Sequence, residues 1–404
     1  MNKFVAIGIA VLLFFVSAYG SFSFFSQPDG EEIAYEPPVD PEAGLVDDGG
    51  PKTEECPLNG KLHSEERRQL WESRRPMGVM VENSLDSRPQ SGLNSADVSY
   101  EVVAEAGITR FLNIFYCQDA EYVGPVRSAR IYFIKLLQGY GNYPLYAHVG
   151  GATTPGRADA LGEIRELGWH LYNDLDQFGV GYPNYWRDAE RLPGVSTEHT
   201  MYTNTIKMFE YAKENRGLTD VDEEGTAWNE GFEPWVFKDS AEASARGDVS
   251  EISYGFWDGP SYSSDYSVSW DYDSEENVYL RNNGGVPHMD KNTDEQLQAS
   301  SVVVMQADES PVDDGYEGAT HLYYDIVGTG EALIFQDGDV IETTWEKDDE
   351  ESMIRFYDDS SNEVEFVRGK IWVSVVPTGN EVEYGSSGAG EAASDEEDTE
   401  TKEE

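Results

Sequence analysis

Positive charge is what this chain has least of: 28 lysines and arginines stand against 78 aspartates and glutamates in 404 residues, a formal net charge of −50. That balance argues against nucleic acid as a partner, because phosphate backbones need a broad basic face. Cysteine is almost as scarce, with Cys56 and Cys117 alone and no C-x-x-C pair. An exported chain could join the two, although Cys117, ending an apolar run, reads more simply as a buried thiol. Several catalytic signatures are missing too: no G-x-S-x-G, no H-E-x-x-H and no P-loop. No D-x-[DN]-x-[DN]-G calcium loop occurs, so the acids read as a solvated surface and no metal site is expected. GTGEAL (Gly328 to Leu333) imitates the start of a dinucleotide loop but lacks its third glycine, and nothing else names a cofactor.

What is present begins with an apolar start. After Lys3, residues 4 to 25 carry no charge, a length sufficient to cross a hydrocarbon core. The rival is a cleaved signal peptide with Ala18-Tyr19-Gly20 at its site, but apolar character resumes at Phe22, Phe24 and Phe25. Residues 1 to 25 are therefore read as a transmembrane anchor, which places the bulk of the chain outside the cell membrane. Residues 26 to 59 form an acidic, proline-rich stretch expected to be a disordered tether, and the acidic residues 381 to 404 are expected to be a disordered tail.

Between them the texture changes near Gly225. Before it, PMGVMVEN (Pro76 to Asn83), ITRFLNIFY (Ile108 to Tyr116) and PLYAHVGG (Pro144 to Gly151) read as strands. Ser128 to Gln138, Gly156 to Leu167 and Tyr202 to Asn215 read as helices, and Ala96 to Gly107 is undecided between the two. Alternating strands and helices predict a three-layer α/β domain over residues 60 to 225. After it, DYSVSWDYD, VYLR, SVVVMQ, HLYYDIV, EALIFQ, DVIETTW and KIWVSVV are short strands joined by Asp and Gly turns. They predict a smaller, mainly antiparallel β domain over 226 to 380, folding separately from the first.

One segment reverses the charge trend. From Gly107 to Lys135 the bases are Arg110, Arg127, Arg130 and Lys135 and the acids Asp119 and Glu121, so the stretch is 4 − 2 = +2. Behind Gly124-Pro125 a helix would set Arg127 and Arg130 on one face beside free backbone N–H groups, a grip for an anion. The alternative pairs these arginines with Asp97, Glu101 or Glu105. The loop Glu82 to Leu93 adds Asn83 and Arg88 at a strand end, where α/β folds keep ligands. His148, before two glycines, and His199 are candidate bases near neutral pH.

The run ENSLDSRPQSGLNSADVSYEVVAEAGITRFLNIFY, followed by VGPVRSARIYF and HVGG, resembles the YerB-like lipoproteins, a domain of unknown function. GGVPHMD, TGEALIFQDGDVIETTWEK and GKIWVSVVP resemble that family's C-terminal domain. Two features depart from the family pattern: Ala106-Gly107 stands where Gly-Gly precedes Ile-Thr-Arg, and no lipobox cysteine follows the apolar start. The resemblance implies a cell-envelope protein, brings no established reaction or cofactor, and carries over Asn83, Arg88, Asp97, Glu101, Glu105, Arg110, Arg127, Arg130 and His148. The expectation is an anionic, phosphorylated envelope ligand bound by Asn83, Arg88, Arg110, Arg127, Arg130 and His148, with Asp97, Glu101 and Glu105 orienting the guanidiniums. The alternatives are a transferase or hydrolase of phosphoryl-linked groups, with Glu105 or His148 as base, and a scaffold for protein partners.

Overall fold

Strands dominate because short β-branched and aromatic runs recur between Gly and Asp turns, and few segments keep an apolar face at helical spacing. The computed structural model describes residues 49–257, 264–315 and 320–386. The anchor expected at residues 1 to 25, and most of the tether and tail, lie outside them. Among the described residues no helix is long and apolar enough to cross a membrane.

The first half supplies helix α1 (Glu65–Trp71) and strands β1 (Met77–Glu82), β2 (Val98–Glu105) and β3 (Ile108–Phe115). Helix α2 (Ile131–Gln138), β4 (Leu145–His148), α3 (Ala160–Glu166), β5 (Asp174–Asp176) and α4 (Thr205–Arg216) follow. The second half adds β6 (Glu251–Tyr254), β7 (Val268–Asp273), β8 (Val278–Asn283), β9 (Ser301–Val312) and β10 (His321–Asp325). It ends with β11 (Gly328–Gln336), β12 (Asp339–Lys347), β13 (Arg355–Asp358), β14 (Ile371–Pro377) and β15 (Val382–Gly385).

One mixed sheet of 11 strands runs in the order β13-β12-β11-β9-β14-β2-β3-β1-β4-β5, with β10 on the far end of β9. Its seam is the parallel pairing of β14 with β2, Ile371 opposite Val98 and Ser374 opposite Glu101. The two halves, expected to fold separately, thus share a sheet. The undecided segment Ala96 to Gly107 becomes β2, a central strand covered on both faces, which explains why its apolar residues show no clear period.

The layers also differ from the expected sandwich of helices. Residues of β2 alternate between faces. Tyr100 meets Tyr140, just past α2, through their hydroxyls at 2.9 Å, and Tyr132 of α2 donates to the Val103 carbonyl at 2.6 Å. The opposite face, with Glu101, is covered by a second sheet, β8-β7-β6-β15 with short flanking strands. There Trp270 of β7 packs edge to face on Trp372 of β14 at 5.4 Å. An antiparallel sheet therefore occupies the layer where helices were expected.

Both acidic ends are partly folded. Glu54–Glu55 pairs with Leu62–His63, and Cys56 is joined to Cys117 in a disulfide, so neither sulfur is a free thiol. At the other end β15 pairs with β6, which carries ordered chain into the segment expected to be tail.

Candidate functional site

The arginine-bearing stretch enters the fold as extended chain, not as a helix. Gly124 has φ +149°, and a Cβ there would sit 2.8 Å from the Met201 carbonyl oxygen, so only glycine fits. Val126 then donates to the Met201 carbonyl at 2.7 Å and Arg127 to the Met80 carbonyl at 3.0 Å, laying the chain beside β1. Helix α2 starts only at Ile131, with Arg130 as its extended cap residue. Arg127 and Arg130 consequently do not share a helix face, and the backbone N–H groups of Val126 and Arg127 are spent on this edge.

Arg130 converges instead with Arg110, on a shared carboxylate. Arg110 of β3 lies opposite Glu82 of β1. By strict alternation Glu105 would point with Glu101 to the other side of the sheet, but a bulge between Val103 and Glu105 shifts the register and turns it back. Glu105 then accepts from Arg110 at 3.1 Å and from Arg130 at 2.8 Å. Both guanidinium side chains are nearly closed off, 4% and 8% exposed, whereas Glu105 is 33% exposed. Arg110 also donates to the Ser128 carbonyl and Arg130 to the Ala129 carbonyl, but the Nε of each has no hydrogen-bond partner. Arg127 pairs with Glu82 at 3.2 Å and with Glu198 at 3.1 Å, and His199 Nδ1 meets Glu82 at 2.9 Å.

The electrostatics follow from this crowding. Burial and the neighbouring Arg130 push Arg110 down to about 10, with Glu105 pulling the other way. Against burial, which would raise it, Arg110 and Arg130 hold Glu105 below the ordinary glutamate range. Glu82 is displaced upward because burial outweighs Arg127 and His199.

The remaining expected site residues lie elsewhere. Asn83 and Glu101 are on the face of the second sheet: Asn83 Nδ2 donates to Thr109 at 2.8 Å, and its Oδ1 accepts from Arg88 at 2.9 Å and Gln90 at 3.0 Å. Arg88 continues to the Asp265 carbonyl at 2.8 Å, over the Tyr266 ring. Glu101 is held by both oxygens, at 2.9 and 2.7 Å, by Arg281 of β8, with neither side chain exposed. Arg281 also donates to His288 Nδ1, and His288 Nε2 reaches Gln90 at 2.6 Å. Burial, then Arg281 and Arg88, hold that imidazole neutral. Asp97, at the other end of β2, takes backbone N–H groups of Tyr116 and Cys117, both at 2.8 Å. It lies with Cys56 and Cys117, whose disulfide leaves no thiolate for a metal. His148 is fully buried, with Nε2 on Asp174 and Nδ1 on the Gly150 carbonyl, both at 2.8 Å, so its ring is engaged on both sides.

Sequence reasoning missed Glu82 and Glu198 as partners of Arg127, and Arg281 with His288. A signal for Arg281 existed: Tyr279, Arg281 and Asn283 form the inward row of β8, so a charge interrupts a buried face. Among the described residues, none of the expected site residues lines either of two open clefts, of about 560 and 370 Å³.

The chain's relatives bear on this arrangement. Residues 60–219 match the N-terminal domain, and residues 260–373 the C-terminal domain, of a family described as protein of unknown function (DUF3048). The protein named "Putative lipoprotein YerB" of Bacillus subtilis (strain 168) is 32% identical over 325 residues, which is 80% of this chain and 86% of YerB. The crystal structure of YerB from Bacillus subtilis superposes with a TM-score of 0.64 at 28% identity, covering 82% of this chain and all of that one. Two family domains in sequence, and a relative matched over most of both chains, place this protein in the YerB-like family of unknown function.

Proposed function

We propose that the chain is a membrane-associated, extracytoplasmic protein of the cell envelope whose Arg110, Arg127 and Arg130 cluster binds a phosphate-bearing anion. The observation that carries the ligand reading is that two buried guanidiniums share one carboxylate. Arg110, Arg130 and Glu105 sum to 2 − 1 = +1, in a site where each Nε still lacks an acceptor. A phosphate oxygen would supply that acceptor and the missing charge. Glu105, the most exposed of the three, marks the side from which the anion would enter. Extracytoplasmic placement is supported by the Cys56 to Cys117 disulfide, which belongs to oxidising compartments, and by the lipoprotein in the relative's name. The apolar residues 4 to 25 would hold the chain to the membrane.

Titration of the full-length chain with inorganic pyrophosphate tests the reading. Binding should weaken with salt, and Arg127→Ala/Arg130→Ala should cost on the order of a hundredfold in affinity, from two charge-assisted hydrogen bonds. The double variant should still melt cooperatively, because Arg110 keeps Glu105 paired and His199 remains on Glu82. Failure of the wild-type chain to bind, or a variant that melts far lower yet binds normally, would overturn the assignment.

A further inference from the structure

The larger cleft, of about 560 Å³, shares no lining residue with the arginine cluster. One wall is the C-terminal end of α2 with Gln138, another the 230 to 233 segment, and a third the turn between β12 and β13. Its acids are Glu230, Glu233, Asp348 and Glu351 and its single cation is Arg355, so the lining is 1 − 4 = −3. Arg355 is already occupied, donating to Glu363 at 2.7 Å, to Glu233 at 3.2 Å and to two backbone carbonyls. Lys347 is turned to the back of the same turn, onto the carbonyls of Glu350 and Ser352.

An acidic rim alone would signify nothing, but Gln138 supplies an independent observation. It is 6% exposed, lines the cleft, and its Oε1 has no hydrogen-bond partner. A buried amide oxygen without a donor is costly in a folded protein, which makes it a marker for something that binds there. The other features agree in sign. The end of α2 presents the negative pole of a helix, and Tyr143 and Phe232 add aromatic rings to the lining. Carboxylates outnumber cations four to one in this lining, and its one cation is already paired.

We infer that this cleft binds an organic primary ammonium group, with Gln138 Oε1 accepting one of its N–H donors and Asp348 and Glu351 drawing in the charge. Amino sugars and lysyl peptides both carry that group. The site is separate from the anion cluster, so either can fail without the other.

The test uses the full-length chain with two probes, a glucosamine dimer and Nα-acetyl-lysine amide, each beside its N-acetylated counterpart. Either ammonium probe should bind at least about tenfold more tightly than its acetylated form, the worth of one hydrogen bond to a charged group. Which probe wins identifies the source of the amine. Gln138→Leu should reduce that preference severalfold without lowering the melting temperature, since the oxygen it deletes has no partner to lose. Asp348→Asn/Glu351→Gln should weaken binding and flatten its salt dependence. The inference is overturned if neither ammonium probe binds at millimolar concentration, if the acetylated forms bind equally well, or if Gln138→Leu leaves the preference intact.

Discussion

Glu105 stands between two guanidiniums that water hardly reaches, and it is there only because the chain bulges before it. Replacing it with Gln would leave Arg110 and Arg130 side by side without an anion. Breaking a buried pair by removing one partner costs about 3 to 5 kcal/mol, and the partial exposure of Glu105 puts the expected loss near the low end. Its folded carboxyl sits below the ordinary value of 4.5, so it contributes stability above that value and loses it as pH falls through the lower folded one. Glu105→Gln should therefore be less stable than wild type at neutral pH and approach it on acidification below the ordinary glutamate value. Melting temperatures across an acid pH series read this directly. A constant gap between the two proteins down to acid pH would show that the carboxylate charge is not what Glu105 contributes.

At the scale of elements, the ion pair of Glu101 on β2 with Arg281 on β8 ties the central sheet to the sheet that covers it. With both side chains closed to solvent, Arg281→Met alone should cost about 3 to 5 kcal/mol, while Glu101→Gln/Arg281→Met should recover part of that loss. Denaturant unfolding of the two singles and the double closes the cycle, and strictly additive losses would deny the coupling. This pairing also shows what the sequence could convey. Strands such as β1, β3, β7, β9, β11 and β14 were legible because each is a short β-branched or aromatic run between turn residues. Helix α2 was legible within three residues at its start, but the Gly124-Pro125 pair that reads as a helix entry instead follows the edge of β1. Nothing local in Val103, Ala104 and Glu105 announces a bulge, which is set by the register of the pair β2 and β3. Glu198 lies 71 positions from Arg127 and Glu101 180 positions from Arg281, beyond the reach of any local pattern.

The whole molecule raises the question of whether two family domains mean two folding units. The described residues argue for one, because β14 inserts beside β2 at the middle of the large sheet. The segment from Gly217 to Trp235 exposes several of its acids and glycines but is pinned to the body by three buried side chains, Leu218, Trp228 and Trp235. Trp228 and Trp235 are each 4% exposed, and Trp235 donates from its indole to the Ile354 carbonyl at 2.7 Å. Trp228 stacks edge on to Tyr116 at 5.0 Å, and its carbonyl accepts from the Asn142 backbone at 2.7 Å. Separating the halves would also expose the buried pair of Glu101 on β2 and Arg281 on β8, a penalty that couples them. Calorimetry of the folded chain should therefore give a single transition, with calorimetric and van't Hoff enthalpies equal. Limited proteolysis should leave the peptide bonds from Gly217 to Trp235 intact until the sheet itself opens, because protease access follows local unfolding. Two resolved transitions, or a first cut in that segment with both halves remaining folded, would show that the shared sheet does not unite them.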